Sequence, residues 1–152
     1  MTRVFPALVV AVWLTACGAP GLDYSAYTVP AGSDIVLNRE IGIPAGSAHV
    51  KFQHGDLSAG VDSYTVNCEF RVRDLGPQVV EPGSFTVTRS GDSREWAISP
   101  YTVRVWKSMT LESAQQADPA HLICQKWVDV DWATNLSINE MRDALGAWFS
   151  FP

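Results

Sequence analysis

Between residues 34 and 132 apolar side chains recur mostly at every second position, the period of strands that bury one face and expose the other. In 34–43, Ile35, Leu37 and Ile41 share one parity, and Pro44-Ala45-Gly46 then turns the chain. Residues 47–54 alternate again, with Ala48, Val50 and Phe52 on one side and Ser47, His49, Lys51 and Gln53 on the other. The clearest run is 63–73, where Tyr64, Val66, Cys68, Phe70 and Val72 oppose Thr65, Asn67, Glu69, Arg71 and Arg73. Short strands are predicted over 78–81 and 84–89, separated by the turn Pro82-Gly83 and followed by a loop at Ser90-Gly91-Asp92-Ser93. Residues 101–111 place Tyr101, Val103, Val105, Met109 and Leu111 on one face, and 112–119 reads as a polar connection. The last strand, 120–132, turns Leu122, Cys124, Val128 and Val130 inward beside an anomalous Lys126.

The period changes once. Ser137-Ile138-Asn139-Glu140 has the form of a capping box, Ile138, Met141, Ala144 and Leu145 make a stripe, and Gly146 is a natural stop, so a helix is predicted over 138–146. Many short strands and one late helix indicate a mainly β domain, a small antiparallel β-sandwich or a partly open barrel with a C-terminal helix. The apolar end, Trp148-Phe149-Ser150-Phe151, belongs with the core.

The amino-terminal stretch follows a different logic. Arg3 precedes an apolar run from Val4 to Leu14, which is about half of the roughly 20 residues a spanning helix needs and has the layout of a secretory signal. Leu14-Thr15-Ala16-Cys17 ends it, and this block resembles the lipobox of bacterial lipoproteins. The resemblance implies that residues 1–16 are removed, that Cys17 carries the lipid, and that the membrane is a partner through that anchor. Gly18, where Asp would favour the inner membrane, resembles the outer-membrane-sorted members. Residues 17–32, rich in glycine and proline, then read as a flexible tether, and 33–152 as one β-rich domain.

Further along, Ala48-x-Val50-x-Phe52-Gln53-x-Gly55, Tyr64-x3-Cys68-x-Phe70 and Pro82-Gly83-x-Phe85-x-Val87 are similar to segments of uncharacterised proteobacterial lipoproteins and secreted proteins. That likeness implies an extracytoplasmic β domain and transfers no catalytic residue. The formal net charge of −5 becomes −6 once Arg3 is removed, which argues against nucleic acid and against a basic membrane-binding patch. With Cys17 committed to lipid, Cys68 and Cys124 remain; both lie on core parity, in a compartment that favours disulfides, and a single bridge between them is expected.

Candidate chemistry is sparse. His49 and His54 are five residues apart and point to opposite faces of an uninterrupted strand, so they reach one metal only if a bulge or turn intervenes, with His121 as a distant third. Exposed strand histidines are the plainer reading. Asp129-x-Asp131 with Glu140 imitates a calcium-loop frame, but Ala133 and Thr134 stand where a ligand and a glycine belong, and Glu140 is explained by capping. Gly91-Asp92-Ser93 resembles the nucleophile block of one esterase family, but the resemblance ends there for want of its late Asp-x-x-His, and a solvated turn is the plainer reading. No phosphate loop, nucleotide-binding glycine pattern or cofactor motif is present.

Five of the six tryptophans follow Cys17, and two of them, Trp106 and Trp127, fall on the polar parity of their strands. With Ile123 they form a candidate binding surface, since an apolar patch of this kind is either covered or used. A helix as short as 138–146 cannot stand alone in water, so it is expected to dock on that outer face; otherwise Trp106 and Trp127 are free to meet a glycan or another envelope protein. The expectation for function is an outer-membrane-anchored periplasmic lipoprotein whose domain binds or supports another component without catalysis. The alternative is a small metal-dependent or hydrolytic envelope enzyme using His49, His54 and His121.

Overall fold

A computed structural model describes residues 24–152. In chain order the strands are β1 (Asp34–Leu37), β2 (Ile41–Ile43), β3 (His49–Gln53), β4 (Asp56–Ser58), β5 (Asn67–Arg71), β6 (Gln78–Val80), β7 (Gly83–Trp96), β8 (Thr102–Ser113), β9 (Gln116–Asp129) and β10 (Phe149–Ser150). The helix, α1 (Ile138–Leu145), lies between β9 and β10. Eight strands form one antiparallel sheet in the order β10-β1-β7-β8-β9-β5-β3-β4, curled as a half-barrel, while β2 and β6 pair as a separate ribbon. The mainly β class with one late helix is as expected, and of the two forms considered the partly open barrel is adopted.

Strand alternation builds the core directly. Ile35, Leu37, Phe52, Cys68, Phe70, Phe85, Val87, Val105, Met109, Leu111, Leu122 and Cys124 are all buried on the inner face. Phe70 meets Phe85 and Phe149 at ring-centroid distances of 6.1 and 5.7 Å, and Phe52 meets Phe149 at 5.8 Å, so the apolar chain end fills the open side of the half-barrel. The Cys68–Cys124 disulfide is formed, joining residues directly opposite in register on β5 and β9.

The helix forms as its local signals dictate. Ser137 accepts from the Glu140 amide while the Glu140 carboxylate accepts from the Ser137 amide, and Gly146 ends the helix with a φ of 56°. Its docking differs from expectation. Met141, Ala144 and Leu145 are buried against β3, β5 and β10 on the inner face, leaving Trp106 and Trp127 uncovered by it. A curled sheet leaves its inner apolar face open, and that face offers the stripe far more apolar surface than an outer patch does.

Four other expectations change. Residues 34–43 split into β1 and β2 because Asn38 pins a corner: its amide donates to the Trp148 carbonyl at 2.8 Å and its side chain to Ala147 O and Ser150 Oγ. The long strand over 63–73 shrinks to β5, since Asp62 accepts from the Tyr64 amide and the Thr65 hydroxyl and turns Tyr64 outward. The loop at 90–93 is instead the middle of β7, which runs through it after a bulge between Val87 and Arg89, held by pairing to β8. The polar connection over 112–119 is a tight β8–β9 turn with its second half already in β9.

Part of the expected tether is also packed. Residues Tyr24–Tyr27 form a 3-10 turn against α1, Val29 is buried, and Gly32 donates to the Val87 carbonyl. Leu14-Thr15-Ala16-Cys17 and Gly18 lie outside the described residues.

Candidate functional site

The outer face of the central strands is where the predicted surface residues meet. Register aligns Gln53 of β3, Asn67 of β5, Gln125 of β9, Trp106 of β8 and Ser93 of β7 in one row across the sheet. Gln53 donates to the Asp62 and Thr65 carbonyls at 2.8 and 3.2 Å and accepts from the Asp62 amide, tying the 59–66 loop down. Asn67, itself buried, donates to Thr65 O and accepts from Gln125 Nε2 at 3.2 Å. Gln125 Oε1 accepts from Arg104 Nε, and Arg104 Nη1 donates to Glu95 Oε1 at 2.7 Å. Side-chain hydrogen bonds thus run unbroken from the loop to β7, and such a network rigidifies the face it crosses.

Both tryptophans sit on this lattice. Register sets Trp106 opposite Gln125 and Trp127 opposite Arg104, which makes them diagonal neighbours across β8 and β9. The Arg104 guanidinium carbon lies 5.4 Å from the Trp106 ring centroid, and Tyr64 meets Trp127 edge-on at 5.8 Å. Ile123 lies on the same face, opposite Ser108. Trp106, Trp127 and Ile123 are each half-buried. The result is a half-buried aromatic–arginine cluster on the outer face of the sheet.

The histidines are held apart. His49 and His121 flank Arg71 in one outer row, each one strand away from it, and His54 occupies the β3–β4 turn with a φ of 55°. An open groove of about 360 Å³ beside His49 is lined by Lys51, Leu57 and Ser58, and another of about 260 Å³ places His54 near Glu140 and Asp143. Among the described residues no group of three His, Cys, Asp or Glu side chains is placed to hold a metal. Asp129 and Asp131 are exposed beside a 3-10 turn, while the Glu140 carboxylate is engaged by Lys126 at 2.5 Å and by Ser137. Ser93 faces outward in β7, opposite Trp106.

Two buried or part-buried lysines change the inner face. Lys126 is explained by its pairing with Glu140. Burial raises the Glu140 pKa, but hydrogen bonds from Lys126 and from the Ser137 amide and hydroxyl, with the Lys126 charge, outweigh it and hold the carboxyl below its ordinary value. Lys107, on the same parity as Val105 and Met109, was not anticipated; it is buried and meets Asp92 at 2.5 Å. The alternation of β8 carries the signal, because a charge on core parity requires a partner.

No protein-family model, curated protein or solved structure matches this chain.

Proposed function

We propose that this chain is a lipoprotein anchored through Cys17 in the outer membrane and facing the periplasm, with a domain that binds or supports another envelope component without catalysis. The observation that carries the binding reading is the rigid outer surface of Trp106, Trp127, Tyr64 and Arg104, which α1 leaves uncovered. Aromatic rings beside a guanidinium, desolvated in part and fixed by a hydrogen-bonded lattice, are the residue types that dominate binding energy at interfaces. The buried Cys68–Cys124 bridge supports an oxidising compartment, and the Leu14-Thr15-Ala16-Cys17 block supports the anchor. The enzymatic alternative has less support, since Arg71 stands between His49 and His121.

Two measurements test the proposal. Cys17→Ser should leave the precursor unprocessed or move the chain out of the membrane fraction; unchanged migration and fractionation would refute the anchor. Trp127→Ala should remove partners that co-purify with the tagged chain from intact membranes while lowering stability by only about 1–2 kcal/mol, less than the roughly 3–5 kcal/mol for a fully buried aromatic. A variant that is much less stable but still retains its partners would assign Trp127 to packing alone.

A further inference from the structure

One end of the β7–β8–β9 meander carries large apolar side chains that the core does not use. Trp96 closes β7, Ile98 and Tyr101 lie in the following turn, and Val130 and Trp132 belong to the 3-10 turn after β9, with exposures of 64, 72, 73, 37 and 75%. Backbone pairing brings them together. Trp96 is in register with Val103, the Ala97 amide donates to the Thr102 carbonyl at 2.9 Å, and the Val130 amide donates to the Tyr101 carbonyl at 2.9 Å. Arg94 Nη2 donates to Ala133 O at 2.8 Å and fastens the segment after Trp132 back onto β7. Scattered exposed apolar residues are ordinary, but a held group of two tryptophans, a tyrosine and two aliphatics marks an interaction site. Trp and Tyr, with an apolar body and a polar tip, concentrate where hydrocarbon meets water.

The chain ahead of the domain identifies the occupant. Six residues, Gly18 to Asp23, separate Cys17 from the first described residue, Tyr24, and can span at most about 25 Å. A domain of this size has a radius of gyration of about 14 Å, so its width exceeds that reach. Resting on the reading that Cys17 carries lipid, the domain is therefore confined beside the bilayer, and the face that gains most from contact turns toward it. We propose that Trp96, Ile98, Tyr101, Val130 and Trp132 dock into the interfacial layer of the phospholipid bilayer, a second and reversible contact that orients the domain. The contact is apolar rather than electrostatic: Asp129 and Asp131 flank the group and Arg104 is paired with Glu95, so added salt should leave it in place.

The test uses the full chain, processed in its host, reconstituted in phosphatidylethanolamine–phosphatidylcholine vesicles with and without brominated acyl chains, which quench tryptophans near them. Brominated lipid should lower the emission of the wild-type chain, and Trp96→Ser/Trp132→Ser should lose most of that quenching. Ile98→Ser/Tyr101→Ser, which removes no tryptophan, should weaken it as well. Absent quenching, or equal quenching in all three chains, overturns the proposal, as does capture of a protein rather than lipid by a photo-crosslinker placed at position 132. Intact mass reads the anchor separately. An acylated chain without quenching refutes the docking alone, quenching without an acyl group refutes the anchor alone, and the loss of both refutes both.

Discussion

Lys107 is buried on the core parity of β8, in register with Cys124, and the Asp92 carboxylate 2.5 Å from its ammonium satisfies it from β7. Removing only the carboxylate leaves a buried donor without its charged acceptor, so Asp92→Asn should lower the unfolding free energy by about 1–3 kcal/mol in urea titrations. Lys107→Met should be close to neutral and should rescue Asp92→Asn, because a well-packed apolar residue often replaces a buried ion pair without loss. Glu140 yields a pH prediction. Its folded pKa is depressed below 4.5, so the stability it contributes is fully present above that value and is lost as pH falls through the lower folded value. Urea midpoints of wild type and Glu140→Gln should therefore differ at neutral pH and converge in acid; a constant difference would show that the carboxylate charge is not involved. Lys126 stands out in the sequence as an exception to the parity of its strand, Lys107 is missed although it breaks the parity of β8 in the same way, and neither partner is legible. Asp92 lies fifteen residues from Lys107 in a stretch that reads as a turn, and Glu140 lies on a different element from Lys126.

The two kinds of element differ in how far the chain alone reveals them. Helix α1 announces itself within ten residues, through Ser137, Glu140 and Gly146, because caps are satisfied by near neighbours. The second half of β7 carries the opposite signal: Ser90-Gly91-Asp92-Ser93 favours a turn locally, and only its ladder with β8 keeps it extended. What no local pattern shows is which face the helix covers. Its fit to the β3–β4 turn is set by two glycines meeting back to back, with the Gly55 amide donating to the Ala144 carbonyl at 3.0 Å. A Cβ built on Gly146 would lie 2.5 Å from Gly55 Cα and 2.8 Å from its carbonyl oxygen, and the φ of 56° is unfavourable for any side chain. Gly146→Ala should therefore destabilise the fold by about 1–3 kcal/mol. Gly60→Ala, where a Cβ meets nothing within 4 Å, should leave the thermal midpoint nearly unchanged.

At the scale of the whole molecule the sheet has three parts: the β7–β8–β9 meander, whose strands follow one another in sequence, β5-β3-β4, which joins it along β9, and β10-β1, which joins it along β7. The meander is closed by short turns, whereas the β5–β9 ladder unites residues fifty or more positions apart and costs more loop-closure entropy than those hairpins do. The disulfide lies in that ladder, joining Cys68 to Cys124 across a sequence separation of 56 with Cα atoms 4.0 Å apart. Its pairing was legible from parity and the number of cysteines; its place between adjacent strands was not, because strand order depends on distant contacts. Cys68→Ala/Cys124→Ala should lose about 4 kcal/mol by the chain-entropy relation, and its urea slope should rise because an uncrosslinked unfolded chain exposes more surface. Both sulfurs are fully buried, so reductant added to the native protein should act only through unfolding, and the rate at which thiols appear should follow the unfolding rate. A double variant that unfolds at the wild-type midpoint would mean that the ladder assembles without help, and would leave the bridge no part in joining β5-β3-β4 to the meander.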